Sequence, residues 1–192
     1  MDWGKFLYFM AVAERLKCAG RHCTNSQGDP ESVAEHSWRA AFMALALRPE
    51  FPGIDIDRVI RMLLIHDLGE AVTGDIPTFL KNQADEETEA RAVEEILSAL
   101  SPEVREEFSA LFAEMNALET PEARLYNILD KFEAVIQHNE SPISTWEELE
   151  YDLQRNYAWK EAEWFPEALA LREEILRRTE EKIAGEKTAL GV

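Results

Sequence analysis

The apolar run Val59-Ile60-Arg61-Met62-Leu63-Leu64-Ile65 closes on the pair His66-Asp67, and that pairing constrains the fold more than anything else in the chain. The run predicts a buried helix. Burying an imidazole beside a carboxylate is costly unless something pairs them. A divalent metal would, provided that other segments bring further ligands. His36, in Glu35-His36-Ser37, and Asp130, in Leu129-Asp130-Lys131, are the candidates. The resulting order, H…HD…D, reads as a metal-dependent hydrolase.

Nearly every segment has helical periodicity. Residues 3–19 carry Phe6, Leu7, Met10, Ala13 and Leu16 at helical spacing, and a loop rich in Asn, Gly, Asp and Pro spans Gly20 to Glu31. Ser32 with Glu35 forms a capping box for a helix reaching about Leu47, which Pro49, Pro52 and Gly53 break. Asp55 caps the helix that ends in His66-Asp67-Leu68-Gly69-Glu70, and Thr73 to Thr78 form a second clear loop. A charged helix follows with Val93, Ile96, Leu97 and Leu100 on one face. Ser101-Pro102 and Thr120-Pro121 read as N-caps followed by Pro at the first helical position. Thr145 with Glu148 is another capping box, and the last helix runs from about Pro166 into a polar tail. No alternating strand run, repeat or linker interrupts this pattern. The expected fold is all-α, a compact array of about seven to nine helices in one domain over 1–192. Its motif-bearing core lies at about 5–140 and its C-terminal helices at about 145–185.

A net charge of −18 argues against a nucleic-acid backbone or an anionic membrane surface as partner. A small phosphorylated ligand stays compatible, since a metal and a local positive pocket fit inside an acidic protein. Cys18 and Cys23 are too few for a disulfide framework. The segment Met1 to Leu7 continues into Ala13-Glu14-Arg15, too charged for a signal peptide, and no apolar stretch is long enough to cross a bilayer. A cytoplasmic, soluble protein is expected.

Adjacent His and Asp on one helix point about 100° apart, so both reach one ion only near a helix end or with the ion against one side. Two imidazoles and two carboxylates suit one divalent ion such as Mn, Co, Mg, Zn or Fe, with positions left for water and substrate. Thiolates play no part, which argues against a closed structural zinc site. Periodicity alone would leave Asp130 solvated, nearly opposite the stripe Leu125, Ile128, Leu129, Phe132, Val135 and Ile136. Ala123, Tyr126 and Ala134 on its own face would still let another helix approach. Glu70, four residues after His66, reads either as a solvated helix-end carboxylate or as a group facing the metal. Cys18, His22 and Cys23 lack a fourth ligand and read as free thiols and a loop His.

His36, His66-Asp67 and Asp130 match the metal pattern of the HD-domain phosphohydrolases. Glu31-Ser32-Val33-Ala34-Glu35-His36-Ser37 resembles the first-His segment of the YfbR-like 5′-deoxynucleotidase branch. His66 through Thr78 is similar to that branch's His-Asp-x-x-Glu…Gly-Asp-Ile-Pro block, and the likeness spans roughly 5–140. It implies that His36, His66, Asp67 and Asp130 hold one divalent cation and that Glu70 handles the nucleophilic water. It also implies Asp75 on the sugar or leaving-group side, Arg21 on the substrate phosphate, and Lys81 as a further basic group. The implied activity is removal of the 5′-phosphate from (deoxy)nucleoside monophosphates by a metal-activated water, in a protein that is commonly a homodimer.

One departure stands out. The branch places a Trp at or just after its phosphate-binding Arg, and that ring helps select the 2′-deoxy sugar. Here His22, Cys23 and Thr24 follow Arg21, so deoxy preference is left open. No His lies between Asp67 and Asp130, which fits a mononuclear site. The alternatives are a hydrolase of another small phosphate ester and a non-catalytic, metal-stapled nucleotide-binding module. Glu70 and Asp75 favour catalysis, because a binding relic needs no water-handling carboxylate. The aromatic set Trp146, Tyr151, Tyr157, Trp159, Trp164 and Phe165 reads as packing for the last helices or as a subunit interface.

Overall fold

A computed structural model describes residues 2–190 of the chain. The order is α1 (Trp3–Glu14), β1 (Gly20–Thr24), β2 (Pro30–Ser32), α2 (Val33–Ala46), α3 (Ile56–Ile65), α4 (Glu70–Thr73) and α5 (Gln83–Leu97). Then come α6 (Pro102–Ala117), α7 (Pro121–Glu140), α8 (Glu148–Asn156), α9 (Trp159–Ala162) and α10 (Pro166–Leu190), with short 3₁₀ turns at Arg15–Lys17, Arg48–Glu50 and Ile143–Thr145. Among the described residues the protein is all-α apart from one small hairpin, with eight helices of nine residues or more and two single turns, α4 and α9. None of these helices is long and apolar enough to cross a membrane.

Several helix starts follow directly from local chemistry. Ser32 Oγ accepts the Glu35 N–H at 3.2 Å while Glu35 Oε2 accepts the Ser32 N–H at 2.7 Å, closing the capping box of α2. Asp55 accepts the Arg58 N–H at 3.0 Å to start α3, and Thr120 accepts the Ala123 N–H at 3.1 Å to start α7. Helix α7 packs against α2, α3, α6, α9 and α10. Its Leu125, Ile128, Leu129, Phe132 and Val135 are buried with Ala40, Ala41 and Ala44 of α2 and Val59 and Leu63 of α3. The alanines let α2 come close. His36 lies one turn before Ala40 on the same face, so close packing carries it into the interior.

The structure corrects the sequence reading in five places. Gly20 to Glu31 is not a loop: β1 and β2 pair antiparallel, with Gly20 opposite Ser32 and Thr24 opposite Pro30. The turn between them is held by Asn25 Oδ1, which accepts the N–H groups of Gln27 and Asp29. Strands of five and three residues rich in turn formers leave no alternation to detect. Second, α3 stops at Ile65, and Glu70 opens the separate turn α4 instead of continuing one helix. Third, α1 ends at Glu14 and buries Val12, with Leu16 buried in the following turn, while Leu7 and Met10 are exposed. Fourth, Thr145 belongs to a 3₁₀ turn, where its hydroxyl donates to Pro142 O at 2.7 Å. The N-cap of α8 is Glu147, whose N–H is accepted by Glu150 at 2.7 Å. Fifth, α10 continues through the expected polar tail to Leu190, while Met1, Gly191 and Val192 of the expected domain lie outside the described residues.

Candidate metal centre

The end of α3 explains how His66 and Asp67 reach one point. The face Val59, Met62, Leu63 is buried, and His66 continues it. The last turn of a helix leaves carbonyls without partners. His66 uses its Nδ1 to meet Leu63 O at 2.9 Å, and this bond fixes the ring. Past Ile65 the backbone tightens into i→i−3 turns, with the Leu68 N–H on Ile65 O at 3.0 Å and the Glu70 N–H on Asp67 O at 3.0 Å, so His66 and Asp67 stand at the helix end, where both can reach one point. Gly69 lets α5 pack closely against this turn: a Cβ there would stand 2.5 Å from Glu89 Cγ and 3.1 Å from Glu89 O of α5.

His66 Nε2 lies 3.1 Å from Asp67 Oδ2 and 3.4 Å from Asp130 Oδ1. His36 Nε2 lies 3.0 Å from Asp130 Oδ1 and 3.9 Å from Asp67 Oδ2, and the two rings are 5.3 Å apart. Asp130 is thus drawn inward, against its periodicity, because α2 and α3 bring both imidazoles to its face of α7. His36 Nδ1 is held by the fully buried Glu133. Both rings are therefore anchored through Nδ1 and turn Nε2 to a common centre. His66 Nε2 is buried with no hydrogen bond made.

These residues fit a divalent ion. Ligands held about 2.0–2.2 Å from one ion stand about 3–4 Å from one another at ordinary coordination angles, and the four separations fall in that range. Anchoring of each Nδ1 by an oxygen is the usual outer support of a metal-binding imidazole. Without an ion, protons supply the positive charge. Burial alone would lower His36, but its bonds to Asp130 and Glu133 outweigh this and push it up to about 9. His66 is raised well above its ordinary value, again against burial, chiefly by Asp67. Asp130 is held well below the usual carboxylate range by the two imidazoles, which overcome its burial.

Beside this centre a cavity is lined by Arg21, Glu70, Asp75 and Lys81 together with Asp67 and Asp130. Hairpin β1–β2 carries Arg21, and α7 staples it in place: Gln137 Nε2 donates to Thr24 O at 2.7 Å and Ser141 Oγ donates to the same oxygen. Arg21 Nη1 lies 3.8 Å from Asp67 and 3.7 Å from Asp75. Its Nε is 3.1 Å from Glu31 Oε2 but lacks hydrogen-bond alignment. Glu70 is buried with Oε2 unpartnered, and burial, then Asp67, Asp75 and Glu89, push its carboxyl up to about 9. Burial also raises Asp75, partly offset by Arg21. Lys81 Nζ pairs with Glu89 at 2.5 Å.

All eight site residues named from the sequence, His36, His66, Asp67, Asp130, Glu70, Asp75, Arg21 and Lys81, therefore converge. Glu133 was missed, although a Glu four residues after Leu129, on the apolar stripe of α7, was the available signal. Cys18 and Cys23 are free, and Cys23 donates to Glu31 at 2.9 Å. No group of metal-ligating side chains forms around them among the described residues. No Trp flanks Arg21; His22 stands there, its ring edge-on to Phe79 at 5.9 Å.

The HD-domain family model matches residues 13–171. The 5′-deoxynucleotidase HDDC2 of Dictyostelium discoideum is 36% identical over 142 residues, covering 69% of this chain and 75% of that protein. The 5′-deoxynucleotidase HDDC2 of Danio rerio is 33% identical over 192 residues, covering 95% and 92%. Among solved structures, a predicted metal-dependent phosphohydrolase from Magnetospirillum magnetotacticum MS-1 is similar with a TM-score of 0.78 at 28% identity, covering 94% of this chain and 93% of its own.

Proposed function

We propose that this chain, which belongs to the HD-domain family and to its 5′-deoxynucleotidase branch, removes the 5′-phosphate of (deoxy)nucleoside monophosphates at the centre formed by His36, His66, Asp67 and Asp130. The observation that carries this reading is the pair of imidazoles anchored through Nδ1, with the buried Nε2 of His66 unpartnered between two carboxylates. A divalent ion bound there supplies Lewis acidity, lowering the pKa of a coordinated water and neutralising phosphate charge.

The chain's own residues do the rest. Glu70 takes the proton of the attacking water; burial, Asp67, Asp75 and Glu89 push its carboxyl up to about 9 in the ion-free site, and the positive charge of a bound ion would bring it down to where it can accept that proton. Arg21 offers a fork of donors to the phosphate, with Lys81 behind it. Asp75 stands on the leaving-group side, where the P–O5′ bond breaks and the released oxygen needs a proton.

The same reading includes one domain and a homodimer. Trp3, Leu7 and Met10 on α1, and Trp38, Phe42 and Leu45 on α2, form exposed apolar stripes at the same spacing, with Trp38 stacked on Phe42 at 5.7 Å. Each helix carries one acid and one base, Glu14 with Lys5 and Glu35 with Arg39, so neither stripe has the acidic excess that would repel a second copy. Two free cysteines fit a cytoplasmic setting, and the −18 charge disfavours nucleic acid.

The test is phosphate release from 2′-deoxy and ribo 5′-monophosphates by metal-stripped protein resupplied with Mn, Co, Mg, Zn or Fe. His66→Ala/Asp67→Ala serves as control. Release that needs both ion and His-Asp pair is expected. Silence across the panel with metal bound refutes the reading in favour of another phosphate ester or a binding module.

A further inference from the structure

The hairpin that carries Arg21 is irregular, and the irregularity gathers its side chains on one carboxylate. Gly20 pairs with Ser32 and Thr24 with Pro30, so between these pairs Arg21, His22 and Cys23 of β1 face Glu31 alone on β2. Arg21 and Cys23 lie two positions apart, on the same side of their strand. Both reach Glu31: the Cys23 thiol donates to its Oε2 at 2.9 Å, and Arg21 Nε stands 3.1 Å from the same oxygen. A carboxylate oxygen of Glu31 also comes within 4.8 Å of a ring nitrogen of His36 and of an oxygen of Glu133, the pair behind the metal centre.

Stability does not explain this carboxylate. Glu31 is 3% exposed and close to fully buried Glu133, and two like charges so near each other in a dry place repel. The hairpin has its own supports in the Asn25 turn and in the bonds from Gln137 and Ser141 to Thr24 O. What Glu31 does hold is Arg21. Asp67 and Asp75 stand 3.8 and 3.7 Å from Arg21 Nη1, beyond hydrogen-bond reach, whereas Glu31 lies nearest, on the Nε edge. Asp67 and Asp75 line the cavity beside the metal centre, and Glu31 stands behind that lining. Three carboxylates thus compete for one guanidinium. Without the one at the back, Arg21 would swing forward and close the two remaining gaps into hydrogen-bonded pairs.

We propose that Glu31 is a positioning residue for the substrate phosphate: it holds Arg21 back by its Nε edge, so that the Nη fork stays open to the phosphate instead of closing on Asp67 and Asp75. This rests on the nucleotidase reading above for the identity of the phosphate ester. The geometry itself asks only that a phosphate oxygen meet the fork.

The test is calorimetric titration of inorganic phosphate into Mn-saturated wild type, Glu31→Gln, Arg21→Ala and the double variant, with Tm as the check on folding. Glu31→Gln keeps the shape and removes the charge. Its phosphate Kd should rise about tenfold. KM for 2′-deoxynucleoside 5′-monophosphates should rise with it while kcat is kept. In the Arg21→Ala background the same substitution should change neither, because the group through which Glu31 acts is gone. Unchanged phosphate binding in Glu31→Gln, or an equal loss with and without Arg21, overturns the proposal. So does a wild type that binds no phosphate. If Glu31→Gln fails to fold, Glu31→Asp, which keeps the charge but withdraws it by one methylene, carries the same expectation and the same refutation. A wild type that binds phosphate yet hydrolyses no nucleotide refutes the nucleotidase reading, and the phosphate titrations still decide the role of Glu31.

Discussion

Glu133→Gln isolates the support behind the metal centre from the centre itself. Glu133 is fully buried; one of its oxygens takes the His36 Nδ1 proton and the other lies 3.8 Å from Arg39 Nε. The substitution keeps shape and volume but removes the charge, and an amide can turn its NH₂ towards His36. An imidazole faced by that donor keeps its own proton on Nε2, the nitrogen that looks at Asp130 from 3.0 Å and Asp67 from 3.9 Å. A proton there blocks a metal. Outer partners of this kind contribute about 10–100-fold to metal affinity, or about 1.4–2.7 kcal/mol. The upper part of that range is expected, because His36 is fully buried and no water replaces the carboxylate. Arg39 keeps Gln137 at 2.6 Å and Glu140 at 2.9 Å, so the fold should survive, which a metal-free Tm checks. Calorimetric titration of Mn or Zn into both proteins at one pH gives the ratio. An unchanged affinity would falsify the orienting role of Glu133.

Other perturbations address the neighbouring groups. Glu70→Gln should lower kcat by about 100-fold or more, in the range for losing a general base, while leaving metal titration intact; retained turnover removes Glu70 from proton transfer. Gly69→Ala sets a Cβ 2.5 Å from Glu89 Cγ and 3.1 Å from Glu89 O. Overpacking of that kind costs about 1–3 kcal/mol, or about 2–12 °C in Tm for a chain of this size; an unshifted melt means α5 yields freely. Metal affinity should rise with pH. His36 is protonated below about 9 in the metal-free protein, and that proton must leave before Nε2 can bind. Each proton released makes affinity climb by up to about tenfold per pH unit until His36 titrates. Affinity that is flat between neutral pH and about 9 contradicts this.

Much of the centre was legible because its residues sit where local chemistry is simple. His66-Asp67 closes an apolar helix, and His36 follows a capping box that pins its helix start. Asp130 is the opposite case. Its own helix assigns it to solvent, and only the arrival of α2 and α3 on that face brings it inside, a tertiary fact with no local signal. Hairpin β1–β2 was missed because turn-forming residues dominate it, and its stability comes from α7 holding Thr24 O. The break after Ile65 was hidden for a related reason. Leu68 keeps the apolar character going across it, but packs into a different cluster beside Val93 and Ile96.

The staple between hairpin and α7 also bears on how the protein is made. His36 waits for Glu133, 97 residues later, and Thr24 waits for Ser141, 117 residues later. At about 5–20 residues per second, a ribosome leaves these partners apart for several seconds or more. Through that interval His36, Asp67 and Arg21 stand on a nascent chain without the helix that closes their pocket. A chain released before α7 emerges lacks Asp130 and Glu133 together, one of the four ligands and the carboxylate that anchors another. Capture of the cation therefore signals that α7 has been made: translation must pass Ser141 before the site exists.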